Sequence, residues 1–459
     1  MPGADFPLTE PAHPEAREPS PRYLRLVFKP DAFSWSLYDF ANTIFSMNIV
    51  SKYFKPWLVD DLGRSGYAFD FAVALSMLAV ALVSPALGVI SDHNGAKKRY
   101  LFIFTFGCIL SVVGFSLTPA SLLLVIIALF ACSNFFYEGG MVFYNSLLYS
   151  VADNERAARY ISGYGVALGY VGAILGLLLV LPFVEGDVFG LSIPGIHGGG
   201  KSAAFLPTAA LFALFALPLF FFVRERRAAT PQRSVTLRRA YSLVWSTLKQ
   251  TERFPGLLRF LVADFLIKNA ATAVIINIGV FCLFVIGFDD TQTTVFLMIV
   301  TVAAVIGSFI LGRLAVFVPL EKLITVTAVG WIVSLSLFGL ATEVWMYWAL
   351  SSLAGICLGG VWTLHRPYLG ELAPPDELGR FFGLYSLTGR AAAVLGPLWW
   401  ALFFWLSDTG PLGETLNLPE PGATQLPYRV AAASLALLVA LGLTMFRRAV
   451  AQRRAAVRR

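Results

Sequence analysis

The sequence predicts an all-α membrane protein with twelve transmembrane helices in two pseudo-symmetric six-helix bundles. Three observations carry this. Of 459 residues, 57% are hydrophobic and only 14% charged, against the roughly 25% charged of a soluble domain. Nearly uncharged runs long enough for a bilayer recur twelve times. Lys and Arg gather in alternate loops.

A run of about 20 apolar residues spans the hydrocarbon core, because in lipid each backbone amide must bond within its own helix. The runs fall near 33–56, 69–91, 100–117, 121–148, 160–184, 203–223, 257–286, 291–314, 322–342, 344–366, 381–406 and 428–446. Residues 1–31 are rich in Pro and Glu, hold no apolar core of the kind a cleaved signal needs, and read as a disordered cytoplasmic tail. An N-terminal bundle over 32–223 follows, then a basic linker over 224–254, a C-terminal bundle over 255–447 and a basic tail over 448–459. Within the linker, Arg233–Thr251 has the mixed apolar and basic pattern of a surface-lying helix.

Short loops with excess Lys and Arg stay on the cytoplasmic side. Lys97, Lys98, Arg99, Arg156, Arg159 and the linker arginines occupy one set of loops, and the opposite set is mostly acidic. Lys52, Lys55, Arg64 and Lys201 run against this pattern. Both termini are therefore expected in the cytoplasm, in a plasma (inner) membrane. The net charge of +7 sits at helix ends, which favours lipid headgroups over nucleic acid as the partner. Cys108, Cys132, Cys282 and Cys357 lie in apolar runs without metal or redox spacing. No nucleotide-binding Gly-x4-Gly-Lys-Ser/Thr loop is present. Neither metal nor other cofactor is expected, no enzyme chemistry is implied, and a monomer is the expected state.

The chain repeats itself. Gly163, Gly169 and Gly176 recur 220 residues later as Gly383, Gly389 and Gly396, each set preceded by a charged loop ending in Arg159 or Arg380. Asp39-Phe40 in the first run matches Asp264-Phe265 in the seventh. Duplicated halves commonly hold the substrate site between them.

Ionisable groups in hydrocarbon cost ~2.5–3.5 kcal/mol on insertion scales, so they mark cavities or partners. In the first run Asp39, Asn42, Thr43 and Ser46 form one polar helix face, expected to line a pathway. Asn134, Glu138 and Asn145 form a sparser stripe in the fourth run. Glu138 lies deep enough to load and release a proton as access alternates, although it and Asp39 can equally serve as hydrogen-bond acceptors between helices. In the seventh run Asp264 and Lys268 are four apart and can pair locally, or Lys268 can bind cargo or answer Asp39 across the halves. His365 and Arg366 read as a gate or a snorkelling anchor at a cytoplasmic helix end, and Arg390 as shallow enough to snorkel. Gly165, Gly169, Gly172 and Gly176 leave one helix face bare, read as a sliding contact between the halves or as static packing.

After the second run, Gly88-Val-Ile-Ser-Asp92-His-Asn-Gly95-Ala-Lys97-Lys98-Arg99 resembles the cytoplasmic signature of the major facilitator superfamily, with His93 where Arg is usual. A carboxylate at that helix end can meet the positive N-terminus of a helix from the other half, making a latch. Gly312 and Arg313 form a degenerate echo, and Arg380 joins the expected gating set.

Trp35-Ser-Leu-Tyr38-Asp39-Phe40-Ala41-Asn42 resembles the opening of the vacuole effluxer, or autophagy-related efflux permease, branch of that superfamily. Phe143-Tyr144-Asn145 and Arg380-Phe381-Phe382-Gly383-Leu384-Tyr385 are similar to its fourth and eleventh helices. The resemblance implies a major facilitator fold and a permease exporting small solutes, with fungal members associated with amino-acid efflux. The sequence departs from the branch at Leu266-Ile267-Lys268-Asn269, where an acidic position has become basic. The expected function is secondary transport of a small polar solute by alternating access, proton-coupled. The competing readings are a membrane sensor or scaffold and a lipid transporter on the same fold.

Overall fold

The computed structural model describes residues 25–63, 67–188, 191–192, 197–225, 237–249, 254–288, 290–408 and 422–457. The first bundle comprises α1 (Pro30–Phe45), α2 (Tyr67–Asn94), α3 (Lys97–Leu117), α4 (Leu123–Val151), α5 (Glu155–Glu185) and α6 (Phe205–Phe222). The linker contributes α7 (Leu237–Lys249). The second bundle comprises α8 (Leu257–Phe281), α9 (Asp290–Leu314), α10 (Leu320–Leu340), α11 (Val344–Leu372), α12 (Leu378–Asp408) and α13 (Gly422–Val457). One two-residue antiparallel ladder, β1 (Asp187–Val188) with β2 (Leu191–Ser192), follows α5.

Among the described residues, eleven helices are long and apolar enough to cross a membrane. The twelfth rod, α1 with its continuation, is less apolar because it carries Asp39, Asn42 and Thr43 in α1 and Ser46 and Asn48 just beyond. It continues as a π-helix over Ser46–Tyr53, a short α turn and a second π segment over Trp57–Asp61. Its repeat partner α8 likewise continues as a π-helix over Cys282–Ile286. The leading helix of each half therefore loosens at the same end.

Each half has its own core. Phe54 stacks on Phe130 with centroids 4.1 Å apart, beside Phe69, Phe115 and Phe205. In the second half Phe281, Phe338 and Tyr347 pack together. A third cluster joins the halves at the end bearing Lys97, Lys98 and Arg159, hereafter the basic end, and sets Ala86 and Val89 against Leu378, Phe381 and Phe382.

Two expectations change. Val27 is buried and Lys29 pairs with Asp153 at 2.8 Å, so the described part of the N-terminal segment is anchored to the bundle. Residues 1–24, also expected as disordered tail, lie outside the described residues. Of the surface helix expected over 233–251, the described residues Leu237–Lys249 are helical, tied to α2 by the Tyr241 hydroxyl donating to the Leu82 carbonyl at 2.6 Å, and 233–236 and 250–251 lie outside the described residues. The expected basic tail from 448 is the continuation of α13 through Val457, with Arg453 and Arg454 docked on Glu371 and Glu321.

Candidate functional site

The basic end is closed by contacts between glycines and by one carboxylate. A Cβ on Gly88 of α2 would lie 2.0 Å from the Gly379 carbonyl oxygen, so only glycine lets α2 reach the start of α12. That approach places Asp92 at the N-terminus of α12, where the first amides lack intrahelical partners. Its carboxylate accepts from the Gly379 and Arg380 amides at 2.9 and 2.7 Å and pairs with Lys97 at 2.9 Å. Gly95 takes φ +55°, turning the chain into α3. Glu225 caps that helix by accepting from the Lys97 and Lys98 amides, and Lys98 also donates to the Val223 carbonyl. Burial holds the Glu225 carboxyl above the ordinary Glu range despite those two amides. Arg99 is exposed, and His93 bonds back to the Val89 carbonyl within its own helix. Arg380 pairs with Glu377 and lies against Phe254 and Phe381.

The pseudo-symmetric seam pairs α5 with α9 and α11. Gly163 meets Gly312, where a Cβ would come within 2.5 Å of the facing Cα. Pro367 has no N–H, so the Thr363 carbonyl four residues earlier loses its helical donor. That carbonyl accepts from Ser162 at 3.0 Å. Tyr149 donates to the Pro367 carbonyl at 2.9 Å, and Arg159 pairs with Glu371 at 2.5 Å.

At mid-depth two ion pairs cross between the halves, each with its acid on the first bundle and its base on the second. Glu138 of α4 pairs with Arg390 of α12, whose guanidinium also donates to the Glu138 carbonyl at 3.2 Å. Asp39 of α1 stands 3.6 Å from Arg366 of α11, too long for a hydrogen bond. Arg366 lies over the stacked rings of Trp35 and Tyr144, 5.6 Å from each centroid. Within the second half Asp264 gathers Lys268 and His365, both at 2.8 Å, and the Thr388 hydroxyl at 2.5 Å. Lys268 sits over the Tyr385 ring, 3.3 Å from its centroid.

Several expectations are corrected here. Lys268 is buried and bound to Asp264, so Arg366, not Lys268, answers Asp39. Arg366 and Arg390 do not snorkel, because α11 continues six residues past Arg366 and α12 starts twelve residues before Arg390. Asn134 donates to Ser76 at 2.7 Å and is fully buried, which ties α4 to α2. The stripe Gly165, Gly169, Gly172 and Gly176 faces Trp35, Thr43, Phe40 and Ile44 of α1, in its own half, so it is not a sliding contact between halves. Asn42 donates to the Met141 sulfur at 3.2 Å, and Ser46 bonds its own helix. The carbonyl oxygens of Asn42 and Asn145 are buried and unpartnered, as are Arg366 Nη1 and Arg390 Nε.

Among the described residues, every hydrogen bond and ion pair joining the bundles lies between the basic end and mid-depth. None gathers three metal-ligating side chains.

The family model described as vacuole effluxer Atg22 like matches residues 67–404. The chain belongs to this family. Relatives include an uncharacterized MFS-type transporter, YxiO, of Bacillus subtilis, 25% identical, with 80% of this chain and 86% of that one covered. The autophagy-related protein 22 of Eremothecium gossypii is 23% identical, with 80% and 84% covered. Among solved structures, a bacterial homologue of the iron transporter ferroportin in an outward-facing state superposes with a TM-score of 0.68 at 11% identity, covering 93% of this chain and all of that one. The FucP transporter in its outward conformation gives 0.65 at 15% identity, covering 92% and 99%. The fold is that of the major facilitator superfamily, and this vacuole effluxer-like protein is a multi-pass membrane transporter, not an enzyme.

Proposed function

We propose that this effluxer-like protein is a secondary active permease for a small polar solute, amino acids among the candidates, working by alternating access with proton coupling. It acts as a monomer in the plasma membrane with both termini cytoplasmic. The observation that carries the reading is the pair of bridges Asp39–Arg366 and Glu138–Arg390, which hold the halves together at mid-depth above the closed basic end. Parting the halves at the basic end breaks both bridges, and an unpaired buried charge costs about 3–5 kcal/mol. A proton on Glu138 removes one such charge, and a solute with complementary groups replaces the lost partners. Coupling follows because the halves separate cheaply only when those replacements are present.

The test is uptake and counterflow of labelled solutes in proteoliposomes, with and without an imposed pH gradient. Wild type should move one solute class in a gradient-dependent way. Glu138→Gln should keep exchange and lose the gradient dependence, and Asp39→Asn should lower exchange itself by roughly tenfold or more, the scale of a lost charge-assisted contact. Gradient dependence that survives in Glu138→Gln removes this carboxylate from the coupling step.

A further inference from the structure

We infer that Arg390 is the receptor for a carboxylate on the cargo, that Glu138 occupies it as a built-in mimic until cargo arrives, and that one proton enters with each cargo molecule that brings one net negative charge. This rests on the permease reading and adds the chemical class and the stoichiometry.

Arg390 is positioned for this role and incompletely used. A guanidinium recognises a carboxylate through two parallel N–H donors on one edge. Here Nη2 carries both contacts to Glu138, one to its carboxylate and one to its backbone carbonyl, while Nε is buried without a partner. The Nε–Nη2 edge is therefore half-filled by an anion that the opposite bundle supplies. Arg366, on the neighbouring helix, also keeps Nη1 without a hydrogen bond, and its acid, Asp39, stands off at 3.6 Å. In the first bundle the side-chain amide oxygens of Asn42 and Asn145 are buried without hydrogen-bond partners, acceptors of the kind that suit a hydroxyl or ammonium.

The stoichiometry comes from the charges. At mid-depth the described residues place three carboxylates, Asp39, Glu138 and Asp264, and three basic side chains, Lys268, Arg366 and Arg390, with His365 bound to Asp264. The set is balanced when all three bases are charged and His365 is neutral, and an added carboxylate without an ammonium of its own leaves one uncompensated negative charge in a site that closes away from water. The group displaced from Arg390 is the natural acceptor of the balancing proton. Glu138 is faced by Arg390 from α12 and has Tyr137 beside it on α4, which also senses Asp39 of α1, so once Arg390 turns to cargo no cation among the described residues is paired with it. The step is a proton transfer from solvent to the Glu138 carboxylate, and the ion pair Arg390–Glu138 is replaced by Arg390–cargo carboxylate.

Binding and proton uptake can be measured on the full chain in nanodiscs without transport. The probes are a panel of small labelled acids (lactate, succinate, alanine and glutamate), each with its amide or methyl ester, in weakly buffered solution with a pH indicator. The expected result is that at least one acid binds, that its amide or ester binds roughly tenfold or more weaker, and that one proton is taken up per molecule bound of an acid that carries one net negative charge, such as lactate. Arg390→Lys, which keeps the charge and removes the fork, should lose most of that discrimination. Glu138→Gln should bind at least as tightly as wild type and take up no proton. Equal binding of acid and ester, or unchanged proton uptake in Glu138→Gln, overturns the inference while leaving the permease reading in place. Tight acid binding with the expected proton count, in a protein that moves nothing across liposomes, upholds the site and overturns the permease reading.

Discussion

The two seams between the bundles are related by the internal repeat, yet they are held differently. On one, α2 meets α12 at Gly88 and Gly379 and a carboxylate, Asp92, closes on bare backbone amides. On the other, α5 meets α9 at Gly163 and Gly312, and the charge contact is Arg159 on Glu371, side chain to side chain. Both seams are built on a glycine contact, because two backbones in van der Waals contact leave no room for a Cβ. The charged parts diverged. The α2 seam uses the fixed dipole of a helix end, which exists only while α12 is in place, and the α5 seam uses flexible groups that can follow a partner over some distance.

This difference can be broken from either side. The largest effect is expected from Gly88→Leu or Gly163→Leu, since each puts side-chain atoms where the facing backbone lies within 2.0 or 2.5 Å of a Cβ. Both should abolish closure of the basic end and reduce transport to background, read by spin-label distances across that end. Asp92→Asn comes next. It removes the charge from two amide bonds worth roughly 1.5–3 kcal/mol together and leaves Lys97 unpaired, so the closed population should fall about tenfold or more. Glu371→Gln should act in the same direction by a smaller factor, about threefold, because Arg159 retains the Ala315 carbonyl at 3.1 Å. His93→Arg is expected to change that population by less than about twofold, as the His93 ring is bonded within α2 and the Asp92 acceptors are already filled. A larger effect of His93→Arg than of Asp92→Asn would reverse the order of importance drawn from the geometry.

The twelve rods were legible from hydropathy because lipid forces each span to be continuous, and the repeat was legible from glycines that cannot be replaced at a close approach. Asp39, Glu138, Asp264 and Lys268 stood out as charges in apolar runs. Their partners were harder to read. The edge of an apolar run understates depth, because α11 remains helical through Pro367 to Leu372, and this carries Arg366 inward to Asp39. The same holds for Arg390 at the other end of its helix, since α12 already begins at Leu378. Nothing in the sequence distinguishes a glycine stripe facing its own bundle from one facing the other, because the bare face is identical in both. A polar residue such as Asn134 is equally silent, since a buried amide bonded to Ser76 and one lining a pathway look alike in a pattern of polar and apolar positions.

The end of α13 ties distant parts of the chain together. Arg453 holds Glu371 from below, and Glu371 holds Arg159 of the first bundle, so the last turns of the sequence stand two contacts from its opening half. A fluorescent protein fused rigidly after that helix would have leverage on the seam, and a flexibly tethered one would leave it alone. The choice of linker thus decides whether such a tag reports on the transporter's cycle or interferes with it.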